Sequence, residues 1–415
     1  MAASKGFFSV FRSARVGWLT PIGLASGLPY MLSQGTLQTW MTVEGVSLKT
    51  VGLFAWVGMP YSMKFLWAPF LDRYQLPWFG RRRGWMLLAQ AFMMVSILAL
   101  GMAGGRASSV TIAALAVVLA FCSSSFDIVA DAHRTDLLQE EERAAGTATF
   151  VTGYRVALFL TNGLALILAD HLPWRVLYFG FALLVGTTMW ATWKAPEPNT
   201  VRAPNTLAEA VVDPMVDFFT RKGAWLAGVF VILFRVGDTI ATTMVTPFLL
   251  RTVGFTQTEV GSLNKVFGSL ATVAGALLGG ALIARWGLRR PLVIFGALAA
   301  STNILYALLA YTGKSYAMLA FAVALDNMAG GMSSAAFVAF LMSLCTARYS
   351  ATQYALLTSL STLGGRFLGG FSGFLAASVG WGMFFLITAS FIIPALLVLA
   401  ILPRTIAAQS NAATT

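Results

Sequence analysis

The feature that most constrains this chain is a recurrence of apolar stretches, each long enough to cross a lipid bilayer. A helix rises about 1.5 Å per residue, so roughly 20 apolar residues cover a hydrocarbon core about 30 Å thick. Twelve such stretches follow one another, at 16–40, 50–71, 84–104, 108–132, 147–169, 174–194, 224–249, 257–284, 290–312, 315–344, 351–377 and 380–402. Charged residues make up only 11% of the chain and hydrophobic ones 58%, where soluble domains carry about 25% charge. The expectation is an all-α polytopic membrane protein with twelve transmembrane helices.

The first stretch reads as a span and not as a cleaved signal peptide. It is too long, lacks a small-residue cleavage site and carries Pro21, Gly23, Gly27 and Pro29. Both cysteines, Cys122 and Cys345, fall inside predicted helices, which argues against a disulfide framework. His133 and His171 are too far apart for a metal cluster. No metal site and no cofactor are expected.

A net charge of +12 could suggest nucleic acid, but its distribution argues for topology. With a cytoplasmic N-terminus and twelve alternating spans, eighteen lysines and arginines fall inside, among them Arg73, Arg81, Arg82, Arg83, Arg134, Arg285, Arg289 and Arg290. Only Lys49, Arg106, Arg175, Arg251 and Lys314 fall outside. That is the positive-inside bias, and it predicts that both termini are cytoplasmic.

The remaining basic residues, Lys64, Arg155, Arg235, Lys265 and Arg366, lie within spans, as do Asp127, Asp131, Asp238 and Asp326. Each would cost about 2.5 to 3.5 kcal/mol at a helix centre, so nine facing lipid would cost on the order of 25 kcal/mol. They must pair, face a bundle interior or line a watery cavity. Such residues point to movement of a polar solute across the membrane.

The longest polar interval, 195–222, separates six spans from six. It divides the chain into an N-terminal six-helix bundle at 1–194, a cytoplasmic linker and a C-terminal bundle at 223–415. Apolar residues from Leu207 to Phe219 suggest a short helix lying on the inner leaflet; a solvated linker is the alternative. The halves echo each other. After the second span comes DRYQLPWFGRRR (Asp72–Arg83), and after the eighth GALIARWGLRR (Gly280–Arg290). A 6+6 chain with these repeated loops resembles the major facilitator superfamily, whose loop signature is G-x-x-x-D-R-x-G-R-R. The resemblance implies two bundles rocking around a midplane site. The second copy has Ala284 where the acid belongs, and the first has Ala68 for glycine.

Asp127 and Asp131 are four apart and share one helix face, where like charges repel. Either a cation sits between them or one is protonated. Asp131, near Arg134 and the Asp72–Arg73 loop, is expected to act as a gate contact, with Arg285 its counterpart in the second loop. Asp127, one turn deeper, is the candidate proton carrier; a static pair with Arg155 or Lys64 is the competing reading. Arg235 and Asp238 are i, i+3 neighbours and should pair locally. Lys64, Lys265 and Arg366 lack an obvious local partner, and spare cations suit a cargo bearing carboxylates.

In the first span, Pro29 should break the helix near mid-membrane, with Gln34 and Gln38 forming a polar stripe along the path. Tight glycine packing is the alternative. The seventh span, with Arg235, Asp238, Thr239, Thr242, Thr243 and Thr246, is its positional counterpart. Asp326 lies in the tenth. Tyr30, Trp40, Tyr61, Trp67 and Tyr154 are candidates to stack on sugar faces, although aromatics at helical spacing usually serve packing. TGKS at 312–315 lacks the first glycine of a phosphate-binding loop, since position 308 is Leu. No Ser-His set or paired acids gather in the loops of one side, so an enzyme is not expected.

Several segments are similar to AmpG-type permeases: ASGLP (25–29), SQGTLQTWMTVEGVSLKTVG (33–52), KFLWAPFLDRY (64–74), GRRRGW (80–85), FCSSSFDIVADAHRTDLLQEEERAAG (121–146), GYR (153–155), EVGSLNKVFGSLATVAGAL (259–277) and SATQYALLTSLS (350–361). Acetyl-CoA transporters are more distant relatives of the same group. The resemblance implies proton-driven import of anhydromuropeptides, N-acetylglucosaminyl-anhydro-N-acetylmuramyl peptides, through the bacterial inner membrane by a monomer. It places the chain in cell-wall recycling and upstream of β-lactamase induction. The sequence departs from the family at Phe126, where glutamine is common, and at Ser124, where alanine is. Longer members add two further spans, and none follows Pro403 here. A same-fold carrier for another amphipathic anion, such as a siderophore, nucleotide-sugar, acyl-CoA-like compound or drug-like acid, is the alternative.

Overall fold

The computed structural model describes residues 13–402 apart from 75, 78, 105–107, 139–141, 198–211 and 346–349. Every regular element among the described residues is helical. Among the described residues, eight helices are long and apolar enough to cross a membrane: Arg81–Ala103, Ser109–Leu137, Thr149–Ala169, Trp174–Lys194, Ala224–Val253, Gln257–Ile283, Arg289–Thr312 and Trp381–Ile401.

The other four predicted stretches differ for identifiable reasons. The stretch 50–71 carries Gly52, Gly58, Pro60 and Pro69, and it winds as five short pieces from Leu48–Leu53 to Ala68–Arg73. In the first stretch the helix Leu19–Leu32 runs through Pro29 and breaks only at Ser33–Gln34, before Gly35–Val43. The expected break at Pro29 is therefore displaced by one turn. Proline removes one donor but its φ is helical, and the chain turns where Gln34 leaves helical geometry at φ −127°, ψ −101°. The stretch 351–377 splits at Gly370–Phe371, between Ser350–Gly369 and Ser372–Val379. There the Trp56 indole presses on Gly370 and donates to the Phe367 carbonyl at 3.0 Å, satisfying backbone at the break. Tyr316–Ser343 is continuous over 28 residues but is made more polar by Asp326 and Asn327.

Helix ends follow local chemistry. Ser47, Ser108, Thr256 and Ser315 cap the helices that begin after them through their side-chain oxygens. Within the predicted linker, the described helix is Asp213–Phe219, while 198–211 lies outside the described residues.

The chain forms two compact units, one of residues 1–44 and 63–204, the other of 45–62 and 205–415. Residues 45–62 thus pack with the second unit, where Gly52 meets the Gly373 backbone. In the first unit, Leu19–Leu32 crosses Arg143–Leu158 at close range through Gly23, Gly27 and Gly153; a Cβ on Gly27 would lie 2.7 Å from the Tyr154 carbonyl oxygen. In the second, Gly268–Trp286 crosses Tyr316–Ser343 through Gly275, Gly279 and Gly331. In lipid, where no hydrophobic drive brings helices together, such close backbone approach supplies the dispersion contacts that hold them. The second unit also has an aromatic core in which Phe234 stacks on Phe337 and Phe230 meets Phe340 edge-on.

Candidate functional site

Each unit carries its own set of polar groups within the spans. In the first, Asp127 projects from Ser109–Leu137 and accepts a hydrogen bond from Ser26 Oγ at 2.5 Å. Ser26 is buried in Leu19–Leu32, between the two packing glycines, so the glycine crossing also fixes the carboxylate's partner. The Lys64 ammonium acts on Asp127 through space, as does the Asp131 carboxylate. Asp131 has its own cation, Arg134 Nη2 at 3.1 Å, and Arg134 also lies over the Phe150 ring. The repulsion between the stacked aspartates is thereby relieved by separate cations, Lys64 for the deeper one and Arg134 for the other. Arg155 is exposed, and no ion pair joins it to Asp127 among the described residues. A static Asp127–Arg155 pair is thus ruled out in this conformation.

Of the other predicted groups in this unit, Gln34 sits at the helix break, with its Nε2 buried and given no acceptor among the described residues. Gln38 follows on Gly35–Val43 and Tyr30 precedes the break on Leu19–Leu32. Thr36 donates to the Thr161 carbonyl at 2.6 Å, inside the π-helical turn Phe159–Leu164. That hydroxyl supports a stretch of widened backbone within the membrane. Trp67 donates to Ser125 Oγ at 3.0 Å and packs on Phe121, which favours a positioning role over an open sugar platform.

At the arginine-rich end, the loop after the second stretch is tied to groups that sequence reading missed. Arg82 Nε pairs with Asp136 at 2.9 Å, the arginine buried and the aspartate partly so. The Glu197 carboxylate accepts from the backbone N–H of Arg82 and of Arg83, at 2.7 and 3.1 Å, and from Arg83 Nε at 3.2 Å. An anion thus occupies the positive end of the Arg81–Ala103 helix. Arg83 Nη1 donates to the carbonyls of Trp193 and Ala195, closing the C-terminus of Trp174–Lys194. His133 Nε2 meets the Pro196 carbonyl at 2.9 Å. Asp72 and Arg73 end the helix Ala68–Arg73, and their side chains lie outside the described residues.

In the second unit, Asp326 receives Thr302 Oγ1 at 2.7 Å and the Tyr306 hydroxyl at 3.3 Å. Asp238 acts on it through space and is 3.8 Å from Arg235 Nη2, the i, i+3 pair that the spacing predicts. Arg235 also donates to Ser334 Oγ at 2.9 Å. Arg235, Asp238, Asn303 and Ser333 border a cavity of about 30 Å³, room for about one water molecule. Thr239 and Thr243 bond to the carbonyls one turn earlier, which matches the backbone-satisfying role of such threonines. Arg366 is buried, with its guanidinium 5.6 Å from the centre of the Tyr61 ring. Lys265 lies half-buried in the π-helical stretch Val260–Phe267, with no carboxylate within 4.0 Å among the described residues. Arg285 is exposed at the end of Gly268–Trp286. Its neighbour Arg289 caps the last helix instead, donating to the carbonyls of Leu399, at 2.5 Å, and of Leu402, at 3.2 Å.

Sequence reading missed Ser26, Asp136, Glu197, Thr302 and Tyr306. Hydroxyls are common in apolar helices, and Glu197 lies in a proline-rich stretch that reads as a linker. The sequence showed only that each half opens a helix with an arginine cluster after a loop of different length, and not what those arginines hold.

Helical units that carry in-span ions and repeat an arginine turn define a membrane transporter. The chain belongs to the Major Facilitator Superfamily, whose family profile matches residues 19–367 and 229–414. It is 46% identical to the anhydromuropeptide permease of Escherichia coli K12 over 405 residues, covering 97% of this chain and 82% of that protein. A transporter named AmpG 4 from Rickettsia felis is 30% identical over 401 residues, with 94% and 97% covered. Among solved structures, a D-xylose–proton symporter aligns at a TM-score of 0.71 with 15% identity, covering 94% of this chain and 98% of that one. A bacterial homologue of the human lysosomal transporter Spinster, inward-facing and occupied, also aligns at 0.71 with 16% identity, covering 95% and 97%. These two likenesses establish the fold. The chain is a secondary transporter of the membrane and not an enzyme.

Proposed function

We propose that this chain imports anhydromuropeptides across the bacterial inner membrane together with protons, as a monomer with both termini in the cytoplasm. The observation that carries the cargo is the 46% identity to the Escherichia coli permease across nearly the whole chain. Such cargo bears peptide carboxylates and amphipathic sugar rings. In-span cations at Lys64, Lys265 and Arg366, with Tyr61 beside Arg366, suit both features.

Proton coupling falls to Asp127. It is the in-span carboxylate of the first unit that accepts from a buried hydroxyl, Ser26 Oγ at 2.5 Å, on the helix that crosses Arg143–Leu158. Asp131 with Arg134, and Arg285 in the second loop, serve as gate contacts at the cytoplasmic end. Labelled anhydromuropeptide uptake into proteoliposomes tests the reading. Accumulation above equilibrium is expected only when the outside is more acidic, and accumulation without a pH gradient would overturn it.

A further inference from the structure

The first unit has an apolar groove of about 580 Å³ that none of the transport chemistry uses. Its walls are the starts and ends of two helices, Arg81–Ala103 and Trp174–Lys194, and Trp190, Trp193, Leu88 and Phe79 line it. That volume falls in the range of small-molecule sites. The walls are pinned together, because Arg83 and Glu197 tie the first turn of one helix to the last carbonyls of the other. The groove is thus part of the built structure and not a gap between loosely held helices.

Two further observations say what it holds. At its arginine-rich end each wall helix bears a basic residue beside the lining, Arg81 opening one and Lys194 ending the other. Arg81 is i−3 to Gly84 and i−7 to Leu88, so it continues the groove-lining stripe of its helix. Lys194 is i+4 to Trp190, and its Nζ lies 4.3 Å from the centre of the Trp193 ring. At the same end, Phe79 adopts φ +64°, the only non-glycine positive φ among the described residues. For a bulky aromatic this conformation is strained, and it leaves the ring exposed at the groove mouth. An apolar trough with paired cations at its interfacial end matches an acyl chain below an acidic headgroup, and it does not match a neutral lipid.

We propose that this groove is a binding site for one anionic phospholipid, with its acyl chain against Leu88, Trp190 and Trp193 and its phosphate between Arg81 and Lys194. Native mass spectrometry of the purified protein, loaded with phosphatidylglycerol or phosphatidylcholine, tests it. Phosphatidylglycerol is expected to be retained preferentially. The Arg81→Gln/Lys194→Gln double variant is expected to lose about thirtyfold of that retention, from about 1 kcal/mol per cation. A Lys222→Gln/Arg290→Gln double variant, with cations removed elsewhere, is expected to keep it. Leu88→Trp fills the trough without changing charge and is expected to weaken retention as well. A photoactivatable acyl chain on phosphatidylglycerol should label peptides containing 84–88 or 189–193. Equal retention of both lipids, or unchanged retention in the first double variant, would overturn the proposal. So would a dimer that Trp190→Ala dissolves, since a second copy would then be the occupant.

Discussion

The two units solve the same problem with different chemistry. Each places an arginine at the start of a helix and uses it to close the C-terminal carbonyls of a later one: Arg83 on Trp193 and Ala195, Arg289 on Leu399 and Leu402. In the first unit that grip is embedded in carboxylates, with Asp136 on Arg82 and Glu197 on Arg83 and the helix N-terminus. In the second, Arg289 meets backbone carbonyls. The in-span acids differ in the same sense. Asp127 has one hydroxyl and a lysine nearby, whereas Asp326 has two hydroxyls and a second acid, Asp238. A repeated sequence motif therefore fixes where a helix end is held but leaves the electrostatics of each half free to diverge. At the gripped helix end the first half uses paired ions and the second backbone carbonyls, while the second keeps its ion pairs elsewhere, at Arg221–Asp217, Arg235–Asp238 and Lys314–Glu259.

The largest effect should come from breaking the ionic grip of the first unit. Arg82→Ala leaves the partly buried Asp136 without its cation, a loss of up to about 3–5 kcal/mol. Arg289→Ala leaves carbonyls at a helix end, a loss of about 1–3 kcal/mol. Thermal unfolding in detergent should rank Arg82→Ala below Arg289→Ala, and equal melting would mean that the carboxylates add nothing. The glycine crossings are where the halves agree. Gly27→Ala and Gly279→Ala each place a Cβ under 3.0 Å from the facing helix, and each should cost about 1–3 kcal/mol. A large difference between the two would show that one crossing can relax. The smallest effect belongs to Asp238→Asn. Its pair with Arg235 is 3.8 Å long and half-exposed, so stability should change by about 0–1 kcal/mol.

Much of this arrangement was legible in the sequence for a physical reason. Apolar stretches and in-span charges declare the membrane class, because lipid penalises every exception. The Arg235–Asp238 and Asp131–Arg134 contacts follow from helix spacing alone. Contacts between distant segments were not legible. Glu197 reaches Arg82 across 115 positions and Ser26 reaches Asp127 across 101, distances over which no local pattern operates. The helix break also moved. Proline marks where a hydrogen bond is lost, but neighbouring packing decides where the chain bends, and here Gly27 holds the Pro29 turn straight against Tyr154 and Ala157. Of the two partners weighed for a static pair with Asp127, Arg155 is exposed and makes no such pair among the described residues, while the Lys64 charge acts on Asp127 through space.

Proton entry with the cargo is measured most directly by trapping a pH-sensitive dye inside proteoliposomes and adding anhydromuropeptide outside. The account predicts that the lumen acidifies with wild-type protein, that Asp326→Asn slows the signal without abolishing it, and that Asp127→Asn stays silent while still inserting and folding. Acidification by Asp127→Asn at the wild-type rate would contradict it.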